Sequence, residues 1–366
     1  MFRKSIIALV ALGLVCAFAG PASTTPAAAS LTGVKIGVSM ATLQEERWQK
    51  DRDIVINELV TQGIAKNNIL VQSADGDEQK QVTQCENLIT QGIKVLILFP
   101  QNADVCAPIV QSAHESNVKV IAIDRVINNA DLDFFITYDA YTIGLIQGKY
   151  VTNLVNKGNW IMIGGAPTDP NAALIRKGQM YYVQPLIDKG AVKVVLDQAA
   201  NYWNPSDALK YTEQGLTANK NNVQCVFTSN DGCAGAAIQA LTEQGLAGKV
   251  PVPGLDADLA ACQRIVAGTQ SMTVYRKLSL MDQAAAKVAV AMVSGTDLAK
   301  ATGLTIKTKN NNKIDVPAIL LDGADQMFAV DNTNMQEVVK DGWLKASDIY
   351  KNVPKAQWPA WTKNYN

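Results

Sequence analysis

A single histidine, His114, stands among 366 residues. Hydrolytic sites of the Ser-His-Asp or Cys-His kind place an imidazole beside the nucleophile. His114 falls inside a helical stretch over 104–116, away from any strand end. The chain has no Walker loop, and no Gly-x-Gly-x-x-Gly opens a helix, so the cradled phosphates of a nucleotide or dinucleotide are not indicated. It has no Cys-x-x-Cys and no plausible cluster of metal ligands, which removes the usual zinc and thiol-redox motifs. No cofactor and no metal are expected. Charge of one sign is missing too: Lys+Arg and Asp+Glu both number 33. That balance argues against nucleic acid or an anionic membrane surface as a main partner. Beyond residue 30 no apolar run is long enough to span a bilayer.

What is present begins with a leader. Arg3 and Lys4 precede an apolar stretch from Ile6 to Ala19, followed by small residues at Ala17-Phe18-Ala19 and Ala27-Ala28-Ala29. Residues 1–30 therefore read as a signal peptide, cleaved before Ser30 or Leu31, with the earlier site as the alternative. Cys16 would allow a lipid anchor, but Val15 is larger than the residue that usually precedes a lipidated cysteine. The mature chain is expected to be exported, periplasmic or extracellular. Export permits disulfides. Five cysteines remain, an odd number, so at least one stays unpaired within the chain. Cys85 and Cys106, on consecutive helices flanking one strand, could be bridged if their Cα atoms come within about 7 Å.

A mature length near 336 residues is large for one core and suits two. Eight short apolar runs stand out, and five of them stop on a charged residue. The eight are Val34–Met40, Val95–Phe99, Val118–Arg125, Phe134–Asp139, Trp160–Gly165, Cys225–Asp231, Val250–Asp256 and Met272–Arg276. Separated by helical periodicity, such runs read as parallel strands buried on both faces. The predicted class is α/β, with two doubly wound parallel-sheet domains and direct crossings between them instead of a linker. Residues 31–138 with 275–312 form the expected first domain. Residues 139–274 with 313–350 form the second, and 351–366 a packed tail. Asn310-Asn-Asn-Lys313 reads as a hairpin or loop tip.

Ligands of open α/β sheets bind beyond the carboxyl ends of the strands. Asp124, Arg125, Asp139, Asn230, Asp231, Asp256 and Arg276 should therefore converge. Carboxylates accept hydrogen bonds, guanidinium groups donate them, and amides do both. Trp48 and Trp203 add flat apolar faces. A sugar has both characters: hydroxyls that donate and accept, and a ring face of C–H groups. Blander roles compete. Asp231 and Asp256 precede helices and could simply cap them. Asp124–Arg125 could be an ion pair, Arg47 a solvated helix residue and Trp203 a loop plug.

At these residues the chain resembles the periplasmic sugar-binding proteins of the ribose-binding type. The resemblance runs from about Val34 to Tyr350. It is carried by Glu46–Asp53, Ile123-Asp-Arg125, Thr217-Ala-Asn219, Ser229-Asn-Asp231, Ala236–Leu241, Asp256–Leu259, Ala267–Gln270 and Met272–Tyr275. It implies the type I periplasmic binding protein fold, two domains joined by a three-segment hinge. It also implies a monomer that closes on one monosaccharide, an aldopentose such as D-xylose, and delivers it to a membrane ABC permease. A chemoreceptor or sensor kinase is a further expected partner. By matching position, Trp48 and Trp203 would sandwich the sugar ring. Arg47, Asp124, Arg125, Asp139, Arg176, Asn230, Asp256 and Arg276 would bond its hydroxyls, joined by Asn171 and Asp231. Ala140, Leu255 and Arg276 depart from the family pattern, and they bear on which sugar binds. Two other classes compete with a binding protein. A glycosidase would use two strand-end aspartates as acid and base. A sugar-responsive repressor would need a DNA-reading helix-turn-helix ahead of the first strand, and none is present.

Overall fold

The computed structural model describes residues 31–311 and 314–365. The leader with Cys16 and both cleavage sites lies outside the described residues, as do 312–313 at the expected loop tip. Among the described residues no helix is long and apolar enough to cross a membrane.

The first lobe opens with β1 (Ile36–Met40), α1 (Glu46–Thr61), β2 (Ile69–Ser73), α2 (Glu78–Thr90), β3 (Val95–Leu98), α3 (Ala107–Glu115), β4 (Lys119–Ile123) and β5 (Phe134–Tyr138). The second contains α4 (Ala140–Leu154), β6 (Gly158–Gly164), α5 (Pro170–Asp188), β7 (Val192–Ala199), α6 (Pro205–Ala218), β8 (Cys225–Thr228), α7 (Asp231–Glu243), β9 (Pro253–Leu255), α8 (Leu259–Val266) and β10 (Met272–Arg276). The chain then returns to the first lobe with α9 (Leu278–Ser294), β11 (Lys307–Asn311) and β12 (Ile314–Leu321), and to the second with β13 (Met327–Val330).

In the first lobe seven strands run in the order β11-β12-β5-β4-β3-β1-β2. All pairs are parallel except β11 with β12. Continuous apolar runs are explained by burial on both sides. Val95 and Ile97 of β3 join one core cluster, with Val55 and Leu59 of α1 and Ala284, Ala285, Ala286 and Ala289 of α9. Leu96 and Leu98 join another, with Leu88 of α2 and Ile109 of α3. The second lobe has two three-stranded sheets, β7-β6-β8 and β13-β10-β9. Their facing edges are bridged where Val226 N donates to Pro251 O at 3.1 Å. Residues after Tyr350 pack on the main core through Trp358 and Trp361, whose rings lie 5.9 and 5.8 Å from that of Tyr350.

Three crossings join the lobes, and two lie later than expected. β10 pairs with β9 and β13 through Arg276, so the second crossing follows Arg276 and not residue 274. β12 pairs with β5 from Ala318↔Phe135 to Leu321↔Tyr138. This ladder keeps Ile314–Leu321 in the first lobe, so the third crossing, expected at 312–313, falls between Leu321 and Met327. β11, which ends on Asn311, pairs antiparallel with β12 in the same sheet.

The disulfide expectation is corrected. Cys85 and Cys106 are buried in the same cluster but are free thiols, as are Cys225, Cys233 and Cys262. The Cys106 thiol donates instead to Gln81 Oε1 at 3.4 Å. Burial pushes the Cys85 thiol up to about 12 and the Cys106 thiol up to about 11, which keeps both in the unreactive protonated form.

In the second lobe, α4 and α5 meet backbone to backbone. A Cβ on Gly178 would overlap the Tyr141 carbonyl, and one on Gly144 the Ile175 carbonyl. Replacing an exposed helical glycine by alanine gains about 1 kcal/mol. Here the sign should reverse, because overpacking forces the backbones apart at about 1–3 kcal/mol. Gly178→Ala should lower the melting temperature by several degrees. An unchanged or higher value would contradict this close crossing.

Candidate functional site

Between the lobes lies a cavity lined by residues of both. Most of its wall comes from the carboxyl ends of strands. β1 leads to Glu45, Arg47 and Trp48; β4 to Asp124 and Arg125; β6 to Asp169 and Asn171; β7 to Trp203; β8 to Asn230; β9 to Asp256 and Asp258; and β10 ends on Arg276.

Asp124 is the electrostatic centre. Its Oδ2 accepts from Arg47 and its Oδ1 from Arg276, both at 3.1 Å. Arg276 also donates to Asp256 Oδ1 at 2.6 Å. Arg47 is held from behind, because Nε and one terminal nitrogen both donate to Asp51 Oδ2, at 3.1 and 2.9 Å. Burial opposes charge on Asp124, but Arg47, Arg276 and Arg125 together hold its carboxyl well below the usual carboxylate range. The site carboxylates Asp124 and Asp256 both have positive φ, 65° and 104°. Non-glycine residues rarely adopt such angles, and they persist where the surrounding structure fixes them.

The two lobes touch through these groups. Arg125 Nε lies 2.7 Å from Asp169 Oδ2. Asn171 Nδ2 donates to the Asp124 carbonyl at 3.0 Å, and Leu259 N donates to Glu46 Oε2 at 2.9 Å. Trp48 forms the wall on the first lobe and stacks edge-on against Phe99 at 5.8 Å. Trp203 forms it on the second, its Nε1 donating to Asp169 Oδ2 at 3.1 Å. Its ring sits so close to Gly165 that a Cβ there would overlap it. Asn230 lines the cavity and also caps α7, accepting from Cys233 N at 3.0 Å.

Nine of the twelve expected residues thus share one cavity. Asp139, Arg176 and Asp231 do not line it. Asp139 caps α4, accepting from Tyr141 N at 3.1 Å and Thr142 Oγ1 at 2.6 Å. Arg176 pairs with the exposed Asp197. Asp231 is fully buried behind the turn that carries Asp256. Three charged cavity residues were missed: Glu45, Asp169 and Asp258. Asp169-Pro170 carries a helix-start signal, an acid just before proline, after a predicted strand. Asp258 likewise stands at the N-cap of α8, just past a predicted strand, whereas Glu45 has no comparable signal. Burial raises both carboxyls; for Glu45, Arg125 and Arg47 oppose the rise, and for Asp258, Asp231 and Asp256 add to it. No group of three or more His, Cys, Asp or Glu side chains among the described residues could hold a metal ion.

Two α/β lobes, three crossings and a polar interlobe cavity walled by aromatics define a bilobal solute-binding protein. The chain belongs to the periplasmic binding protein family, whose domain model matches residues 36–297. It is 44% identical over 326 residues to the D-xylose-binding periplasmic protein of Escherichia coli (strain K12), covering 89% of this chain and 95% of that one. It is 45% identical over 319 residues to the D-xylose-binding periplasmic protein of Haemophilus influenzae, covering 87% and 92%. Among solved structures, a carbohydrate-transporter solute-binding protein from Chloroflexus aurantiacus in complex with D-glucose matches with a TM-score of 0.76 at 28% identity, covering 86% of this chain and 98% of that one.

Proposed function

We propose that this protein captures a monosaccharide, D-xylose foremost, between its two lobes and delivers it to a membrane ABC permease. The observation that carries this reading is the pair Trp48 and Trp203, one from each lobe, walling a cavity whose charged groups are carboxylates and guanidiniums. Indole faces suit the C–H faces of a pyranose, and the charged groups suit its hydroxyls. Pockets with apolar walls and a few placed polar groups are general for small ligands. The ionised Asp124, fixed by Arg47 and Arg276, is an acceptor for two hydroxyl donors. The D-xylose-binding relatives supply the choice among aldoses.

In this reading the protein performs no covalent chemistry. Its work is motion. Arg125–Asp169 and Asp124–Arg276 bridge the lobes, so the cleft must break them to admit sugar and re-form them around it, a hinge transition at the three crossings. Export follows from the reading of residues 1–30 as a cleaved leader and from the periplasmic relatives. Calorimetric titration with D-xylose, L-arabinose, D-ribose and D-glucose tests the reading. D-xylose should bind most tightly, and no heat with any of the four would overturn it.

A further inference from the structure

Asp231 does not reach the cavity, yet it grips the turn that does. Its Oδ2 accepts from Asp258 N at 3.0 Å and from Thr273 Oγ1 at 2.9 Å, and its Oδ1 from Gln270 Nε2 at 2.7 Å. Thr273 Oγ1 in turn accepts from Ala257 N at 3.1 Å. One carboxylate thereby fixes both backbone amides that follow Asp256, directly or through one hydroxyl. This turn needs fixing, because Asp256 and Ala257 both have positive φ, 104° and 52°, and neither is glycine. Gly254 leaves the room, since a Cβ there would overlap Asp231 Oδ1 and Gln270 Nε2. Arg264 Nε donates to Gln270 Oε1 at 2.9 Å, which turns the Gln270 amide N–H groups toward Asp231.

We propose that Asp231 is a positioning residue of the ligand site, holding the strained turn 256–258 so that Asp256 points into the cavity, and that protonating Asp231 loosens this hold. The proposal rests on the reading of the cavity as a sugar site. One backbone N–H, an amide N–H and a hydroxyl all donate to the Asp231 carboxylate, an arrangement its ionised form satisfies in full. Burial pushes the Asp231 carboxyl up to about 7; Arg264 opposes the rise and Asp256 adds to it. The other groups facing this cluster are Asp258 on the same turn, Cys262 of α8, and Glu46 and Lys50 of α1. Asp258 has a buried Oδ1 without a partner, and burial, Asp231 and Asp256 all raise it. The first proton of the pair therefore belongs to Asp258, and the charge to Asp231.

Two pH dependences of opposite sign follow. D-xylose affinity should fall as pH drops through about 7, because the ionised form holds Asp256 in place. Stability without sugar should change the other way. The folded carboxyl titrates above its unfolded value of about 3.9, so its contribution is full below about pH 4 and is lost as pH rises through about 7. The test compares wild type, Asp231→Asn and Thr273→Val by calorimetry with D-xylose and by thermal unfolding, over about pH 5 to 9. Wild-type Kd should rise about tenfold from about pH 8 to about pH 5.5. Asp231→Asn turns one acceptor into a donor facing donors. It should bind about tenfold more weakly at about pH 8, with a flat profile. Thr273→Val should bind more weakly but keep the wild-type slope, because the titrating group remains. Without sugar, the melting temperature of wild type relative to Asp231→Asn should decline as pH rises. Wild-type affinity in Asp231→Asn at about pH 8, or an Asp231→Asn slope like that of wild type, would overturn the proposal. If wild type binds no aldose at any pH, the sugar reading fails separately. The unfolding profiles then judge Asp231 alone, and parallel profiles for wild type and Asp231→Asn overturn its role.

Discussion

Asp124→Ala should abolish measurable sugar binding under conditions where the parent saturates. The carboxylate is buried and is shared between Arg47 and Arg276, with Arg125 beside it. Removing it deletes the acceptor assigned to the sugar and leaves buried guanidinium groups short of an anion. Truncating one member of a buried, hydrogen-bonded charge pair costs about 2–5 kcal/mol, which is roughly 30- to 4,000-fold in Kd. Asp124→Asn separates charge from shape. Asparagine tolerates the left-handed backbone that φ 65° requires, but its neutral amide replaces one acceptor with a donor that faces a guanidinium. It should remain severe. A purely structural Asp124 would lower the melting temperature and leave Kd nearly intact. Calorimetry and thermal unfolding on the same samples separate the two outcomes.

Trp203→Ala should weaken binding by about 2–4 kcal/mol, the range of strong anchor residues. The indole is buried, lies against Gly165, and donates to Asp169. Alanine removes the apolar wall and frees Asp169 to shift its pairing with Arg125. Trp203→Phe keeps a ring face and loses only the N–H, so it should bind more tightly than the alanine variant. If Trp203→Ala binds D-xylose as the parent does, the aromatic-wall assignment is wrong.

The strands and the place where their ends converge were legible because both faces of each sheet are buried. Val95-Leu-Ile-Leu98 divides its residues between two core clusters, and such a strand has little choice but to be apolar throughout. The cavity residues Asp124, Arg125, Asp256 and Arg276 follow from that pattern, since each ends a run or lies just past its end. Less legible was which side a polar residue takes once it leaves the strand. Asn230 and Asp231 are adjacent at the start of α7, yet Asn230 lines the cavity and Asp231 faces Thr273. On α5, Arg176 stands five residues beyond Asn171, about 7.5 Å further along the axis, and pairs with Asp197 instead. Asp169, at the N-cap of the same helix, lines the cavity. The third crossing was expected at 312–313, one strand too early. β12 reveals its lobe only by pairing with β5, a contact between residues nearly two hundred positions apart.

The account's central claim is that two lobes close on one sugar. Small-angle X-ray scattering of the mature protein, recorded without sugar and at saturating D-xylose, tests it most directly. The radius of gyration should be smaller with D-xylose, and Asp124→Ala should show no such change. Superimposable curves for the parent protein with and without the sugar would contradict the claim.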